Sequence, residues 1–330
     1  MTRPFLPTLL LLLLCTGFGS CSSCNEEENG KTGESITTDH PDFNPDSAYS
    51  YIQKQLSFGP RVPGTPAHRA CAGWMQTMLK QFTDTVYRQE TVVTAGNGKA
   101  LPCINLIGSI NPGAQRRILL LAHWDSRPWA DMDTRDTNKP IPAADDGASG
   151  VAVLLELARQ IQTNRLPAHI GVDILFTDVE DYGRSEWGDE SYALGTQYWA
   201  RHPHIAGYKA ESGILLDMVG ARGAKFPLEG ISYQLAPAVQ QRVWEAAGRA
   251  GFSSYFIFQP GGMITDDHVF VNQLAGIPTI DIIHLDPGTG NFAPHWHTHA
   301  DDLPVIDKAT LEAVGETLLQ FLYETASSDA

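Results

Sequence analysis

V-D-I-L-F-T-D-V-E-D-Y-G, residues 172–183, opens on apolar and β-branched residues and closes on three carboxylates, Asp178, Glu180 and Asp181. The first half reads as a buried strand that delivers acid groups to the rim of a sheet. Side chains alternate faces along a strand, so Glu180 and Asp181 cannot serve one site unless the chain leaves the sheet there. Different jobs are expected of them. Asp181 suits a metal such as zinc as a hard carboxylate ligand, and Glu180 beside it suits proton transfer.

Outward from this run, apolar strands and amphipathic helices alternate. Upstream lie a helix around Ala48–Leu56, a second at Pro66–Gln81 opened by Thr65, and strands at Thr85–Thr94 and Leu101–Ser109 with A-G-N-G between them as a hairpin signal. The apolar strand 118–122 runs into His123-Trp124-Asp125-Ser126, and A-A-D-D-G-A-S-G leads into a helix over Val151–Gln162. Downstream come a helix at Tyr192–Arg201, the strand Ile214–Asp217, a helix at Pro237–Ala250 and a strand at Ser254–Phe258. A helix at 266–275, the strand Pro278–Ile283 and a last helix at Lys308–Thr325 complete the order. This predicts an α/β fold: one domain with a twisted, mixed but mostly parallel sheet and helices on both faces, the initial hairpin supplying the antiparallel part.

The first residues read differently. Arg3, the leucine run Leu9–Leu14 and the small residues before Cys21 form a signal segment over 1–20, too short to span a bilayer. A Cys after small residues resembles a lipoprotein signal, so Cys21 is the expected acylated N-terminus, ahead of Cys24. Residues 21–46, rich in Ser, Glu, Asn and Gly, read as a flexible tether, and 47–330 as the folded domain. The expected location is the cell envelope, as a periplasmic or outer-membrane lipoprotein whose only membrane contact is its lipid anchor. A monomer is the expected state.

The formal charge of −15, with no clustered Lys or Arg, excludes a nucleic-acid partner. Five cysteines stand at 15, 21, 24, 71 and 103 without a zinc-finger spacing, and pairing of Cys71 with Cys103 is left open. P-G-G at 260–262 lacks the spacing of a phosphate cradle.

His123 and Asp125 follow one strand, Asp146 opens a helix, Glu180 and Asp181 follow a second strand, Asp217 a third and His284 a fourth. In open α/β sheets the ligand crevice lies outside the carboxyl ends of the strands, so these residues converge. A crevice of carboxylates and imidazoles without basic counter-charges calls for a divalent cation, and mixed Asp and His donors favour zinc over calcium or magnesium.

H-W-D-S at 123–126, D-D-G-A-S-G at 145–150, V-E-D at 179–181, L-L-D at 215–217 and W-H-T at 296–298 resemble, in order and spacing, the zinc aminopeptidase family and its glutaminyl-cyclase branch. The resemblance runs from about Ser47 to the last helix. It implies Asp146, Asp181 and His297 as the ligands of one zinc and Glu180 as general acid/base, with Asp217 and Asp266 orienting the proton network. Trp296 and Phe292 match the aromatic wall of a glutamine pocket, and Asp266 stands where aminopeptidases carry Ser. The implied activity converts N-terminal Gln of peptides and proteins to pyroglutamate with release of ammonia. The alternative is an aminopeptidase in which His123 and Asp217 help bind a second zinc. Trp187 and His284 are added as candidate pocket residues. His123 and Asp125 are read as a hydrogen-bonded pair, His268 as a core histidine, and His295 and His299 as residues outside the ligand set. Trp124, Trp129, Trp199 and Trp244 are read as packing residues.

Overall fold

The computed structural model describes residues 39–328; the expected signal segment, Cys21, Cys24 and most of the expected tether lie outside the described residues. Among the described residues eight strands form: β1 (Thr85–Thr94), β2 (Ala100–Ile110), β3 (Arg116–His123), β4 (Ile170–Thr177), β5 (Ser212–Asp217), β6 (Phe226–Leu228), β7 (Phe256–Pro260) and β8 (Thr279–Ile283). The α-helices are α1 (Pro45–Leu56), α2 (Pro66–Phe82), α3 (Ala148–Thr163), α4 (Leu194–Arg201), α5 (Gly230–Leu235), α6 (Pro237–Arg249), α7 (Asp267–Phe270) and α8 (Lys308–Ser327). Local chemistry sets several starts. Asn44 and Thr65 accept hydrogen bonds from Ser47 N at 2.9 Å and His68 N at 3.2 Å, and proline occupies the first turn of α1, α2 and α6.

Six strands make one sheet in the order β1-β2-β4-β3-β5-β8. The β1–β2 and β2–β4 pairs are antiparallel, and β4, β3, β5 and β8 run parallel. Alternate residues of the central strands face opposite layers, as the period of two requires. Ile118, Leu120, Val172, Ile174, Ile214 and Leu216 join the larger core, which also takes in side chains of α1, α2, α3, α6 and α8. Leu119, Leu121, Leu175 and Leu215 pack on the other side against Trp199 of α4, Val271 and Ile277. Both faces are covered, so the expected single α/β domain is the observed one. Cys71 and Cys103 are buried and free.

Helix α3 is buried along nearly its whole length, and two glycines let it sit that close. A Cβ on Gly150 would lie 2.3 Å from the Leu216 carbonyl oxygen, and one on Gly147 would lie 2.5 Å from His123 Nε2. The helix start is thereby pressed against the ends of β3 and β5.

Part of the far end departs from the expected order. The strand expected at Ser254–Phe258 forms as β7 but outside the main sheet, pairing with the three-residue β6. Helix α5 is capped by Glu229, whose carboxylate accepts from Ile231 N at 2.8 Å and Ser232 N at 2.6 Å. Glutamate is an unusual cap, which hid the helix start. The helix expected over 266–275 is α7 followed by a π-helical turn at Val271–Ala275.

Candidate active site

All four parallel strands end at the same rim. His123 is the last residue of β3 opposite Thr177 of β4, and Asp217 ends β5 opposite Ile283 of β8. Beyond Thr177 the chain leaves the sheet at Val179, whose φ is 57°. A β-branched residue in the left-handed region is strained, and the turn is held by several bonds. Leu194 N donates to Val179 O at 3.0 Å, Ala193 N to Glu180 O at 3.0 Å, and Val179 N to Asp178 Oδ1 at 2.8 Å. This kink frees Glu180 and Asp181 from strict alternation, so both line one cleft. The other acids of the run are structural: Asp173 is clamped by Arg117 at 2.6 Å and Asp178 by His68 at 2.8 Å.

The expected zinc ligands converge. Ligand atoms of Asp146, Asp181 and His297 lie within 4.8 Å of one another, and so do those of His123, Asp146 and Asp217. His297 Nε2 is 3.4 Å from Asp181 Oδ1 and 3.7 Å from Asp146 Oδ2. Asp181 Oδ2 is buried without a hydrogen-bond partner, an arrangement costly unless a cation completes it. One imidazole and two carboxylates form a three-protein-ligand set of the kind catalytic zinc takes, so the residues fit this metal.

Beside the ligands stands a crowd of acids. Burial, then Asp266, push the Glu180 carboxyl well above its usual range, and burial, then Asp217, do the same to Asp266. Burial, with Asp146 adding, lifts Asp217 to about 6 despite its contact with His123. Asp181 goes the other way: although burial opposes it, His297 and Arg127 hold it at about 2. Neighbouring carboxyls pushed apart in this manner are how one site holds an acid/base beside an ionised ligand.

Asp266 caps α7, accepting from Asp267 N at 2.5 Å, and faces the cleft with Glu180, Asp217, Tyr192, Ile264, Phe292 and Trp296. Trp296 lies on the His297 ring at 3.7 Å between centroids and on Phe292 at 4.3 Å.

Two expected pocket residues are elsewhere. Trp187 packs against Gly96 of the β1–β2 turn and edge-on to Trp129; the wall on that side belongs to Tyr192, which the loop's irregular sequence concealed. His284 sits one residue past Ile283 outside the cleft lining, half-buried, with burial drawing its pKa down. The expected His123–Asp125 hydrogen bond is a 3.7 Å separation. His123 Nε2 instead approaches Asp146 at 3.0 Å and Asp217 at 3.1 Å. Asp125 accepts from the backbone N–H groups of Glu180 at 3.0 Å and Asp181 at 3.3 Å, so it supports the catalytic loop. Asp301 does the same for Asp145 and Asp146, at 2.7 and 3.2 Å. Among the remaining histidines, His295 holds Asp145 at 2.9 Å, His299 holds Asp133 at 2.9 Å, and His268 is buried between Glu229 and Asp281.

Comparisons with known proteins place the chain in a family. The family model described as peptidase family M28 matches residues 105–322. The solved structure of Bacteroides thetaiotaomicron glutaminyl cyclase is 47% identical, with 86% of this chain and 99% of that one covered and a TM-score of 0.84. A structure described as a Zn-dependent exopeptidase, from Parabacteroides distasonis ATCC 8503, is 48% identical over 86% of this chain and 99% of its own, with a TM-score of 0.84. A glutaminyl-peptide cyclotransferase of Drosophila melanogaster is 26% identical over 287 residues, 80% of this chain and 77% of that protein.

Proposed function

The chain belongs to peptidase family M28, and we infer that within it the protein is a zinc-dependent glutaminyl-peptide cyclotransferase, turning N-terminal Gln into pyroglutamate with release of ammonia. One zinc is assigned to Asp146, Asp181 and His297. When bound, that ion supplies Lewis-acid polarisation of the γ-carboxamide carbonyl. Trp296 and Phe292 hold the flat amide and bring the substrate's α-amine toward its own side chain, so ring closure is intramolecular and needs no activated water. As the new C–N bond forms and the bond to the amide nitrogen breaks, Glu180 takes the proton from the α-amine and gives it to the departing ammonia. Asp266 crowds Glu180, and Asp217 in turn crowds Asp266, so the proton stays within one buried acid group.

The observation that carries this reading over hydrolysis is the wall of the cleft: Trp296, seated on the His297 ring and on Phe292, faces the same space as Glu180 and Asp266. A stacked aromatic contact is worth about 0.5–1.5 kcal/mol beyond its buried area, so Trp296→Ala is expected to lower kcat/KM for a Gln-peptide by about tenfold. Ammonia release gives the measurement. Unchanged turnover would remove the aromatic wall from the account.

A second reading draws support from the group His123, Asp146 and Asp217, which shares Asp146 with the first and would suit a two-zinc aminopeptidase. His123 Nε2 lies 3.0 and 3.1 Å from those carboxylates, and metal analysis of the wild-type protein separates the readings: one zinc per chain fits the cyclase, two the aminopeptidase.

A further inference from the structure

Behind the ligands runs a chain of contacts centred on a buried arginine. Arg127, 2% exposed, lies four residues past the end of β3. Its Nη1 donates to Asp181 Oδ1 at 2.7 Å and to the Asp181 carbonyl oxygen at 3.2 Å. Its Nε and Nη2 donate to the two oxygens of Asp131 at 2.7 and 2.6 Å. Asp131 Oδ1 is in turn 3.5 Å from Nδ1 of His297, the ring nitrogen turned away from Asp146 and Asp181.

We propose that Arg127 is a positioning residue of the metal centre, holding Asp181 directly and His297 by way of Asp131, so that two of the three zinc ligands are set by one guanidinium. This rests on the zinc assignment above and not on the reaction. The planar fork is what makes the arrangement work: one edge grips Asp131 bidentately while the remaining nitrogen reaches Asp181, a division that a lysine's point charge cannot reproduce. With Oδ1 taken by Arg127, Asp181 keeps one oxygen, Oδ2, without a protein partner, which points to ligation through a single oxygen. A carboxylate facing the far nitrogen of a ligating histidine fixes its tautomer and ring orientation, and Asp131 is placed to do so. His297 needs such support, because its backbone is held at a φ of 55°.

The test uses the intact protein and measures zinc affinity by competition with a chromophoric chelator, together with the visible spectrum of the cobalt-substituted form. Arg127→Lys is the informative change. Asp131→Asn, at a partly exposed position, keeps shape and guards against a variant that fails to fold. Each is expected to weaken zinc binding about 10- to 100-fold, the usual effect of losing a residue that orients a ligand, and to shift the cobalt bands. The double variant should be no weaker than Arg127→Lys alone, since both act through one unit. Wild-type zinc affinity and an unchanged cobalt spectrum in both single variants would overturn the proposal, as would a loss of thermal stability alone, the mark of a plain ion pair. A wild-type protein that bound no zinc would overturn the metal assignment as well, so the two failures are distinguishable.

Discussion

Glu180→Gln is expected to abolish turnover of a Gln-peptide while leaving zinc in place. Loss of a positioned acid/base costs on the order of a hundred- to ten-thousand-fold in rate, and here no other group lies ready to move the same proton. Asp266 and Asp217 share the cleft, but Asp217 is engaged with His123 at 3.1 Å and Asp266 with the first N–H of α7. The substitution keeps shape and removes only the ability to accept the amine proton. Its neutral amide also removes a carboxyl that Asp266 crowds, so folding should not suffer. Metal analysis beside an ammonia assay gives the result. A Glu180→Gln protein that lost its zinc would exchange the roles of Glu180 and Asp181.

Asp181→Ala should lose both zinc and turnover. Only three side chains are assigned to the ion, and this is the one whose carboxylate is held ionised by its neighbours, at about 2, with an oxygen left over. Removing it also strands one arm of Arg127 in a buried setting, so Asp181→Asn is the companion that preserves volume. Bound zinc protects the folded state by mass action, so both variants should also lose the rise in Tm that zinc gives the parent. Stoichiometric zinc in the purified Asp181→Ala protein would contradict the assignment.

Much of this site could be read along the chain because its parts sit at strand ends, where apolar runs stop and polar residues begin. β4 is such a case: an apolar run broken only by Asp173 locates the strand, and the acids after it locate the rim. Glu180 and Asp181 just past β4 and Asp217 at the end of β5 are located in this way, whereas Asp146 before α3, Asp266 at the cap of α7 and His297 in the loop after β8 were expected from the family resemblance, and all six converge. What escaped were residues placed by contacts distant in sequence. Arg127 reads as an ordinary charged residue until it meets Asp181, fifty-four positions on. Asp125 was legible as a polar residue of the rim, but its bonds to the backbone of Glu180 and Asp181 depend on the kink at Val179, which no pattern of side chains announces. Trp187 was misplaced for the converse reason: it follows the catalytic loop in sequence, yet the chain carries it to the β1–β2 turn, where Gly96 leaves room for it. β6 is three residues long and offers no period to read.

Ring closure and peptide hydrolysis are separated most directly by one measurement. The wild-type protein, loaded with zinc at neutral pH, is offered a Gln-peptide and a Leu-peptide of otherwise identical sequence, with ammonia, pyroglutamyl product and free amino acid followed together. Closure demands an amide in the first side chain, within reach of its own α-amine and under Trp296, and leaves the first peptide bond intact. Ammonia and pyroglutamyl peptide from the first substrate, with no product from the second, is the predicted result. Free leucine without ammonia would contradict it and make the protein a peptidase.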